Sequence, residues 1–242
     1  GVEEVLDEHL YNLILCHSHG DPTRERRLLE VLLSRRVDAI VLAPMSDPAS
    51  HPLYRRILET GVPLVILNDR FDDVPASYVW ASDDDALRLA TDHLCRIGHE
   101  RVAFLSGWSH NAGTAASILG YRTALAAHGR SWSKVIEAGW TEEAGHRGVG
   151  RLLDEAPDTQ AVVCGNDYLA IGALEALRER GVAVPEQLAL VGKDDVGCAH
   201  HVRVPLTTVA VDKRALGRTC ARLCLDALAS GTLPTERVVL TP

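Results

Sequence analysis

Short runs of β-branched and aliphatic residues alternate with longer segments of helical periodicity along the whole chain, and this alternation constrains the fold most. The short runs are apolar on both faces, which is typical of strands covered by helices on each side. The pattern therefore predicts an α/β fold with parallel sheets. The predicted strands are 11–16, 38–43, 63–67, 77–81, 101–106, 134–139, 161–165, 188–192, 207–211 and 237–240. The predicted helices are 22–35, 50–60, 84–97, 115–128, 142–155, 167–180 and 213–229.

Length and charge exclude several classes of protein. The 242 residues fit either one α/β domain or two lobes of about 120 residues each. The net charge of −8 argues against a chain that grips nucleic acid or an anionic membrane, because phosphate contacts need a concentrated basic face. No apolar run approaches the ~20 residues of a spanning helix, and the first residues lack the build of a signal peptide. Six cysteines without a Cys-x-x-Cys pair are typical of reduced thiols, so we expect a cytoplasmic protein.

The residues that follow the predicted strands are mostly polar, with one aromatic side chain among them. In parallel α/β folds, ligands bind outside the carboxyl ends of the strands. A single one of these residues, such as Asn166, is most simply a cap for the next helix. As a set that converges on one edge, they predict a binding pocket. The residues are 44–46, 68–70, 106–107, Trp140, 166–167 and 193–195.

Motifs for catalysis, cofactors and metals are weak. The sequence contains no Gly-x-x-x-x-Gly-Lys phosphate loop and no Gly-x-Ser-x-Gly elbow. The "CHSH" stretch at 16–19 lacks a second pair of metal ligands, and a loop after a strand explains it. We therefore predict no catalytic residue, no cofactor and no metal site. The cluster of Lys193, Asp194 and Asp195 leaves an enzyme as an alternative.

Five segments carry a resemblance to a known family. They read "IGHERVAFLSG" (97–107), "LGYRTALAAHG" (119–129), "GWTEEAG" (139–145), "AVVCGNDYLAIGALEALRERGVAVPEQLALVGKDD" (161–195) and "VPLTTVAVDKRALG" (204–217). Each segment alone is only suggestive, but the combination in this order is specific. The sequence resembles the effector-binding core of LacI/GalR-type (lactose/galactose/purine-repressor-like) transcriptional regulators, from one end of the chain to the other.

The resemblance implies two Rossmann-like lobes of the type I periplasmic-binding-protein kind, joined by three crossovers, with a small effector in the cleft. The N-terminal lobe would be 1–97 plus 212–236, and the C-terminal lobe 98–211 plus 237–242. The family also implies an inner first strand and a helix-turn-helix headpiece ahead of these residues. We therefore expect operator DNA as a partner only through that missing headpiece.

The resemblance also implies a set of ligand-binding residues. Asp194 and Asp69 would accept hydrogen bonds from hydroxyls, and Arg70 would donate a fork of N–H groups. Asn166 can donate and accept, and Trp140 can cover an apolar face of a sugar or base. These are groups for recognition and not a general acid with a nucleophile. Nearly the same residues follow from their positions at the strand ends.

Five further positions are candidates for ligand contacts. Ser117 stands where the family usually has an arginine, and Val211 stands where it usually has a polar residue. Because a site shaped for many hydroxyls would retain these polar groups, we expect a ligand that is less hydroxylated than a typical free sugar or differently shaped. The others are Ser46 at a strand end, Asp85 at a helix start, and Lys193.

Lys193 stands where the family usually has phenylalanine or tyrosine. Alternation along the strand directs Asp194 to one face and Lys193 to the other. The favoured interpretation is a packed lysine stem whose ammonium reaches water or a neighbouring carboxylate. The alternative is that the ammonium bends into the cleft, replaces the arginine missing at Ser117, and selects an anionic effector.

The function implied is the effector-sensing and dimerisation core of a transcriptional repressor. The resemblance implies a homodimer that uses the helix beginning at Asp167 and the segment 198–204. A solute-binding protein of a transporter is the alternative, because it has the same fold. The sequence does not name the effector or the operator.

Overall fold

The computed structural model describes residues 1–242, which form nine strands and eight α-helices. The strands are β1 (Ile40–Leu42), β2 (Leu64–Leu67), β3 (Ser77–Ala81), β4 (Val102–Ser106), β5 (Lys134–Glu137), β6 (Ala161–Cys164), β7 (Ala189–Asp194), β8 (Thr207–Ala210) and β9 (Arg237–Leu240). The helices are α1 (Val2–Glu8), α2 (Pro22–Ser34), α3 (His51–Glu59), α4 (Asp83–Arg96), α5 (Ala112–Ala127), α6 (Glu142–Glu155), α7 (Asp167–Glu179) and α8 (Lys213–Ser230). The chain divides into two compact units, residues 1–81 with 212–240 and residues 82–211 with 241–242.

The first unit is a four-stranded parallel sheet in the order β1-β2-β3-β9. Tyr54 and Ile57 on α3 are fully buried and pack with Leu64 and Ile66 of β2 on one face. Alternation turns Val65 to the opposite face, and α8 packs against the sheet. Helices therefore cover the strands, as the continuous apolar runs predict.

The second unit is a five-stranded parallel sheet in the order β5-β4-β6-β7-β8. Along β4, Phe104 packs with Tyr121 of α5, and its neighbour Leu105 packs with Leu152 of α6. Helices α4 and α5 thus cover one face, and α6 and α7 cover the other. Because all five strands are parallel, their carboxyl ends meet at one edge of this sheet.

Nine of the ten predicted strands form, and the prediction was wrong for 11–16. Residues 11–18 have no regular secondary structure, and Leu15 is 86% exposed. An apolar run becomes a strand only where a neighbouring strand accepts its hydrogen bonds. In this structure the sheet of the first unit ends at β1, and no strand pairs with 11–16.

The unit boundaries differ from the predicted lobes of 1–97 plus 212–236 and 98–211 plus 237–242. Helix α4 belongs to the second unit, because Leu87 and Leu94 pack with Phe104 in its core. Strand β9 belongs to the first unit, because it pairs with β3. The first boundary therefore falls between Ala81 and Ser82, ahead of α4.

None of the helices is long and apolar enough to cross a lipid bilayer. All six cysteines are free thiols, and four of them are buried: Cys95, Cys164, Cys220 and Cys224.

Candidate functional site

Three predicted residues lie together at the carboxyl ends of β1 and β2 in the first unit. Ser46 donates a hydrogen bond through its hydroxyl to the carboxylate of Asp69. The backbone N–H of Arg70 donates to Asp69 Oδ1 at 2.8 Å. Asp69 is only 3% exposed, so these bonds hold a buried carboxylate at the strand edge. The structure thus brings Ser46, Asp69 and Arg70 together.

The Arg70 side chain is oriented by an aromatic ring that the sequence analysis missed. Its guanidinium lies over the ring of Trp80 on β3, 4.7 Å from the ring centroid. This is a cation–π contact, which limits the directions that the guanidinium can take. The pattern of β3 marks Trp80 only as a strand residue, so nothing in the sequence pairs it with Arg70.

The loop that carries Ser46 is tied down by a buried carboxyl group on α2. Tyr54 donates through its hydroxyl to Glu25 Oε1 at 2.5 Å, and the N–H of Met45 donates to Glu25 Oε2 at 2.8 Å. Burial raises the pKa of Glu25 above its usual value, and the two hydrogen bonds oppose that shift. Nothing in the sequence distinguishes Glu25, because an acidic residue in the first turn of a helix is ordinary.

In the second unit, the Trp140 indole lies close to glycine backbone at the ends of β4 and β6. A Cβ added at Gly107 would lie 1.9 Å from Cζ2 of the Trp140 indole, and one at Gly165 would lie 3.3 Å from Cζ3. The indole can occupy this place only because Gly107 has no side chain. Trp140 is half-buried, so part of this residue stays accessible at the strand edge.

Asn166 has the capping role that is the simplest interpretation of its sequence position. Its Oδ1 accepts from the N–H of Leu169 at 2.8 Å, which caps α7. Its Nδ2 donates to the carbonyl oxygen of Trp140 at 3.1 Å. The structure therefore brings Asn166 and Trp140 into direct contact.

At the end of β7, Lys193 pairs with Asp83, the first residue of α4. Lys193 Nζ and Asp83 Oδ1 are 2.6 Å apart, and the two side chains are 11% and 15% exposed. Burial alone lowers the pKa of Lys193, but the carboxylates of Asp83, Asp194 and Asp167 outweigh it and leave the pKa raised. This pairing with a neighbouring carboxylate is the favoured interpretation of Lys193, and it leaves the ammonium bonded to protein.

Strand β7 also shows why Lys193 reaches α4. Ala189 and Val191 pack in the core between the sheet and α4 with α5, whereas Leu188 and Leu190 pack on the face of α6 and α7. The alternation predicted from the sequence is confirmed for these residues. Lys193 lies on the same face as Ala189 and Val191, and its ammonium therefore reaches Asp83 at the start of α4.

Three predicted residues do not add a polar side chain at a strand end: Asp85 and Ser117 lie on helices, and Val211 is apolar. Asp85 is in the first turn of α4, where the hydroxyl of Ser82 at 2.7 Å holds its pKa below the usual value. Ser117 is 2% exposed within α5. Val211 is half-buried, directly after β8. No group of three or more His, Cys, Asp or Glu side chains is arranged to hold a metal ion.

Comparisons with known proteins agree on one family. A family model described as a periplasmic binding protein-like domain matches residues 91–242. The HTH-type transcriptional regulator CelR of Thermobifida fusca is 33% identical over 245 residues, which are 99% of this chain and 71% of that protein. A structure described as a transcriptional regulator CelR-cellobiose complex has a TM-score of 0.90 at 31% identity, over 99% of this chain and 74% of the other. A LacI family transcriptional regulator from Mycobacterium smegmatis gives 0.89 at 28% identity, over 99% and 87%.

Proposed function

Because the chain belongs to the LacI family of transcriptional regulators, we propose that it senses a small effector and controls the binding of a repressor to operator DNA. The observation that carries this proposal is the similarity to CelR, which covers 99% of the chain and includes the strand ends of both units. The comparisons are with regulators, and we propose a binding protein instead of an enzyme. A headpiece of the family's helix-turn-helix type would contact the DNA, in the cytoplasm.

We propose as the effector a neutral saccharide whose shape differs from that of a typical free monosaccharide, such as a disaccharide. Asp69 and Asp194 are acceptors for hydroxyl groups, Arg70 is a donor, and Trp140 offers an aromatic surface on which a sugar face can stack. The structure of CelR described with cellobiose supports this class of ligand. Because Lys193 is bonded to Asp83, its ammonium does not favour a phosphate or a carboxylate at the end of β7.

We propose that the working form is a homodimer, and that α7 and the segment 198–204 form its interface in the second unit. A groove of about 900 Å³ lies between α6, α7 and the loops at 181–184 and 202–204. Charged side chains of α6 and α7 surround its apolar lining. An exposed apolar groove with a charged rim is typical of a surface that binds protein. The apolar lining includes Ile171, Leu174, Val182, Val184, Val202 and Val204.

In this mechanism the effector acts by differential affinity. A ligand shifts the balance between two conformations only as far as it binds one of them more tightly. A bound saccharide would favour one of two conformations of each protomer and so change how well paired headpieces fit the operator. The coupling is reciprocal, because operator DNA changes the affinity for the effector by the same factor.

A thermal-shift screen tests the proposed function. The panel contains neutral mono- and disaccharides including cellobiose, their phosphates, nucleosides and purines. We expect a neutral saccharide to raise Tm, because a ligand that binds only the folded state stabilises it. The increase should be lost in Trp140→Ala and in Asp194→Asn. An increase given only by phosphates would contradict the proposed effector class, and an increase that survives in both variants would contradict the proposed residues.

A further inference from the structure

Two consecutive aspartates at the end of β7 have left-handed backbone conformations. The φ angle is +113° at Asp194 and +51° at Asp195. Positive φ is uncommon for residues other than glycine, and it is maintained only where the surrounding structure holds the backbone in place. Some feature of the fold must therefore hold the chain on both sides of Asp194.

The residue before Asp194 is held on the face of the sheet that α4 covers. Lys193 is buried, and its ammonium bonds to Asp83 Oδ1 at 2.6 Å. Asp83 is the first residue of α4, a position where the helix dipole favours negative charge. Helix α4 packs firmly against the sheet through Leu87 and Leu94, so it provides a fixed support for Lys193.

The residues after Asp194 are held on the opposite face by Asp167, the first residue of α7. Asp167 is completely buried, and its Oδ2 accepts from the N–H of Val196 at 2.9 Å. Its Oδ1 accepts from the hydroxyl of Thr208 at 2.6 Å, and that hydroxyl oxygen accepts from the N–H of Asp195 at 3.4 Å. The first residues of two helices on opposite faces of the sheet, Asp83 of α4 and Asp167 of α7, therefore both bond to the chain around the end of β7.

A glycine on β7 allows the second of these carboxylates to come close. A Cβ added at Gly192 would lie 2.1 Å from Asp167 Oδ1. Before Asp194, β7 thus has a glycine that admits Asp167 and a lysine that reaches Asp83. Directly after β7, the N–H groups of Asp195 and Val196 bond to side chains of the fold.

We propose that Lys193 is a positioning residue of the effector site, and that its bond to Asp83 fixes the backbone of Asp194. With Lys193 held from one side and Val196 from the other, Asp194 has no freedom to relax to negative φ. Its carboxylate then keeps one direction before the effector arrives, which lowers the entropy lost on binding. This inference rests on the proposed function only in taking Asp194 as a ligand contact.

The test is amide hydrogen exchange on the 242-residue chain without any ligand. In Lys193→Met and in Asp83→Asn, we expect exchange at Asp195 and Val196 to become at least tenfold faster, while the amides of β4 keep their wild-type rates. Each single variant leaves one buried charge of this pair without its partner, whereas the double variant Lys193→Met with Asp83→Asn removes both charges. In the double variant, the amides of Asp195 and Val196 should exchange no faster than in either single variant. Its crystal structure should show negative φ at Asp194.

Two controls separate positioning from general stability. Lys193→Arg keeps a cation within reach of Asp83 and should restore exchange to within about twofold of wild type, as charge-assisted pairing predicts. Lys134→Met removes another lysine pair of the second unit, Lys134 with Glu155 at 2.6 Å, and should leave β7 unchanged.

Unchanged exchange at Asp195 and Val196 in the double variant would overturn the proposal. An increase spread equally over β4 and β7 would overturn it as well, because the pair would then act on the whole unit. The measurement uses no effector, so it can succeed where the thermal-shift screen fails and can fail where that screen succeeds.

Discussion

Protonation of Glu25, whose carboxyl group bonds the loop that carries Ser46, should make the stability of the protein depend on pH. Its raised pKa, which burial causes, means that the folded protein holds this proton more tightly than the unfolded chain does. The folded state therefore binds more protons than the unfolded state above about pH 4.5, and the free energy of unfolding falls as pH rises through the folded pKa. The contribution of Glu25 to stability is fully present only below the unfolded value.

Glu25→Gln tests this titration. Glutamine cannot ionise, so the decrease in unfolding free energy between pH 4.5 and 7 should be smaller in the variant than in the wild type. Glutamine also has a single acceptor for the two groups that donate to Glu25, which should cost about 1–2 kcal/mol at low pH. Urea denaturation over this pH range measures both effects. Parallel pH profiles for the two proteins would show that Glu25 titrates normally.

Gly107 is where one methyl group should disturb the aromatic surface. In Gly107→Ala the new Cβ would overlap the Trp140 indole, so the ring must leave its place. We expect affinity for the saccharide found by the screen to fall about tenfold or more, because stacking is lost together with orientation. Gly197→Ala is the control, since no atom lies within 4 Å of a Cβ there. Equal affinities measured by calorimetry for both variants would count against Trp140 as a ligand contact.

The strand ends could be predicted from the sequence, but the contacts that orient their side chains could not. Asp69, Trp140 and Asp194 follow apolar runs, and the carboxyl ends of parallel strands meet at one edge. The partners Trp80 of Arg70 and Asp83 of Lys193 lie 10 and 110 residues from them in sequence. Only tertiary packing brings these partners together, so no local sequence pattern predicts the contacts.

At the scale of elements, apolar periodicity predicted the positions of all nine strands and of every helix except α1, but it did not predict which unit each element belongs to. Helix α4 directly follows β3 in sequence, yet its apolar face packs on the second sheet. Periodicity shows which face of a helix is buried and gives no information on which sheet it covers. The strand predicted at 11–16 was wrong for a related reason. Apolar periodicity does not show whether a neighbouring strand is available for pairing, and none pairs with this segment.

Helices α6 and α7 cross at a point where only glycine fits. A Cβ at Gly172 would lie 1.8 Å from the carbonyl oxygen of Glu142, which is backbone and cannot move aside without shifting α6. Gly172→Ala should therefore lower the free energy of unfolding by about 1–3 kcal/mol, as overpacking does. In Gly150→Ala the new Cβ meets only the flexible end of Arg180 at 3.1 Å. This control should be neutral or stabilised by up to about 1 kcal/mol.

Guanidinium denaturation measures the two glycine variants side by side. If Gly172→Ala were as stable as Gly150→Ala, the helices would not touch as closely as the structure places them.

At the scale of the whole molecule, the groove on α6 and α7 makes the proposed dimer testable. Val202→Glu puts a buried charge into an apolar interface, and removing a charge from water without a partner costs several kcal/mol. We expect sedimentation equilibrium to give a dimer for the wild type and a folded monomer for this variant. Leu119→Glu, on the exposed side of α5, is the matched control and should remain a dimer. A wild type that stays monomeric at every concentration would refute the interface.

The most direct test of the account is whether effector and operator affect each other's binding. A protein that carries the proposed helix-turn-helix headpiece ahead of this chain is titrated with the saccharide from the screen in the presence and absence of an operator selected from random DNA. We expect the saccharide Kd to change by about 5–150-fold when DNA is bound, and the DNA Kd to change by the same factor when the saccharide is bound. Identical saccharide affinities with and without the operator would contradict the claim that this chain is the sensor of a transcriptional regulator.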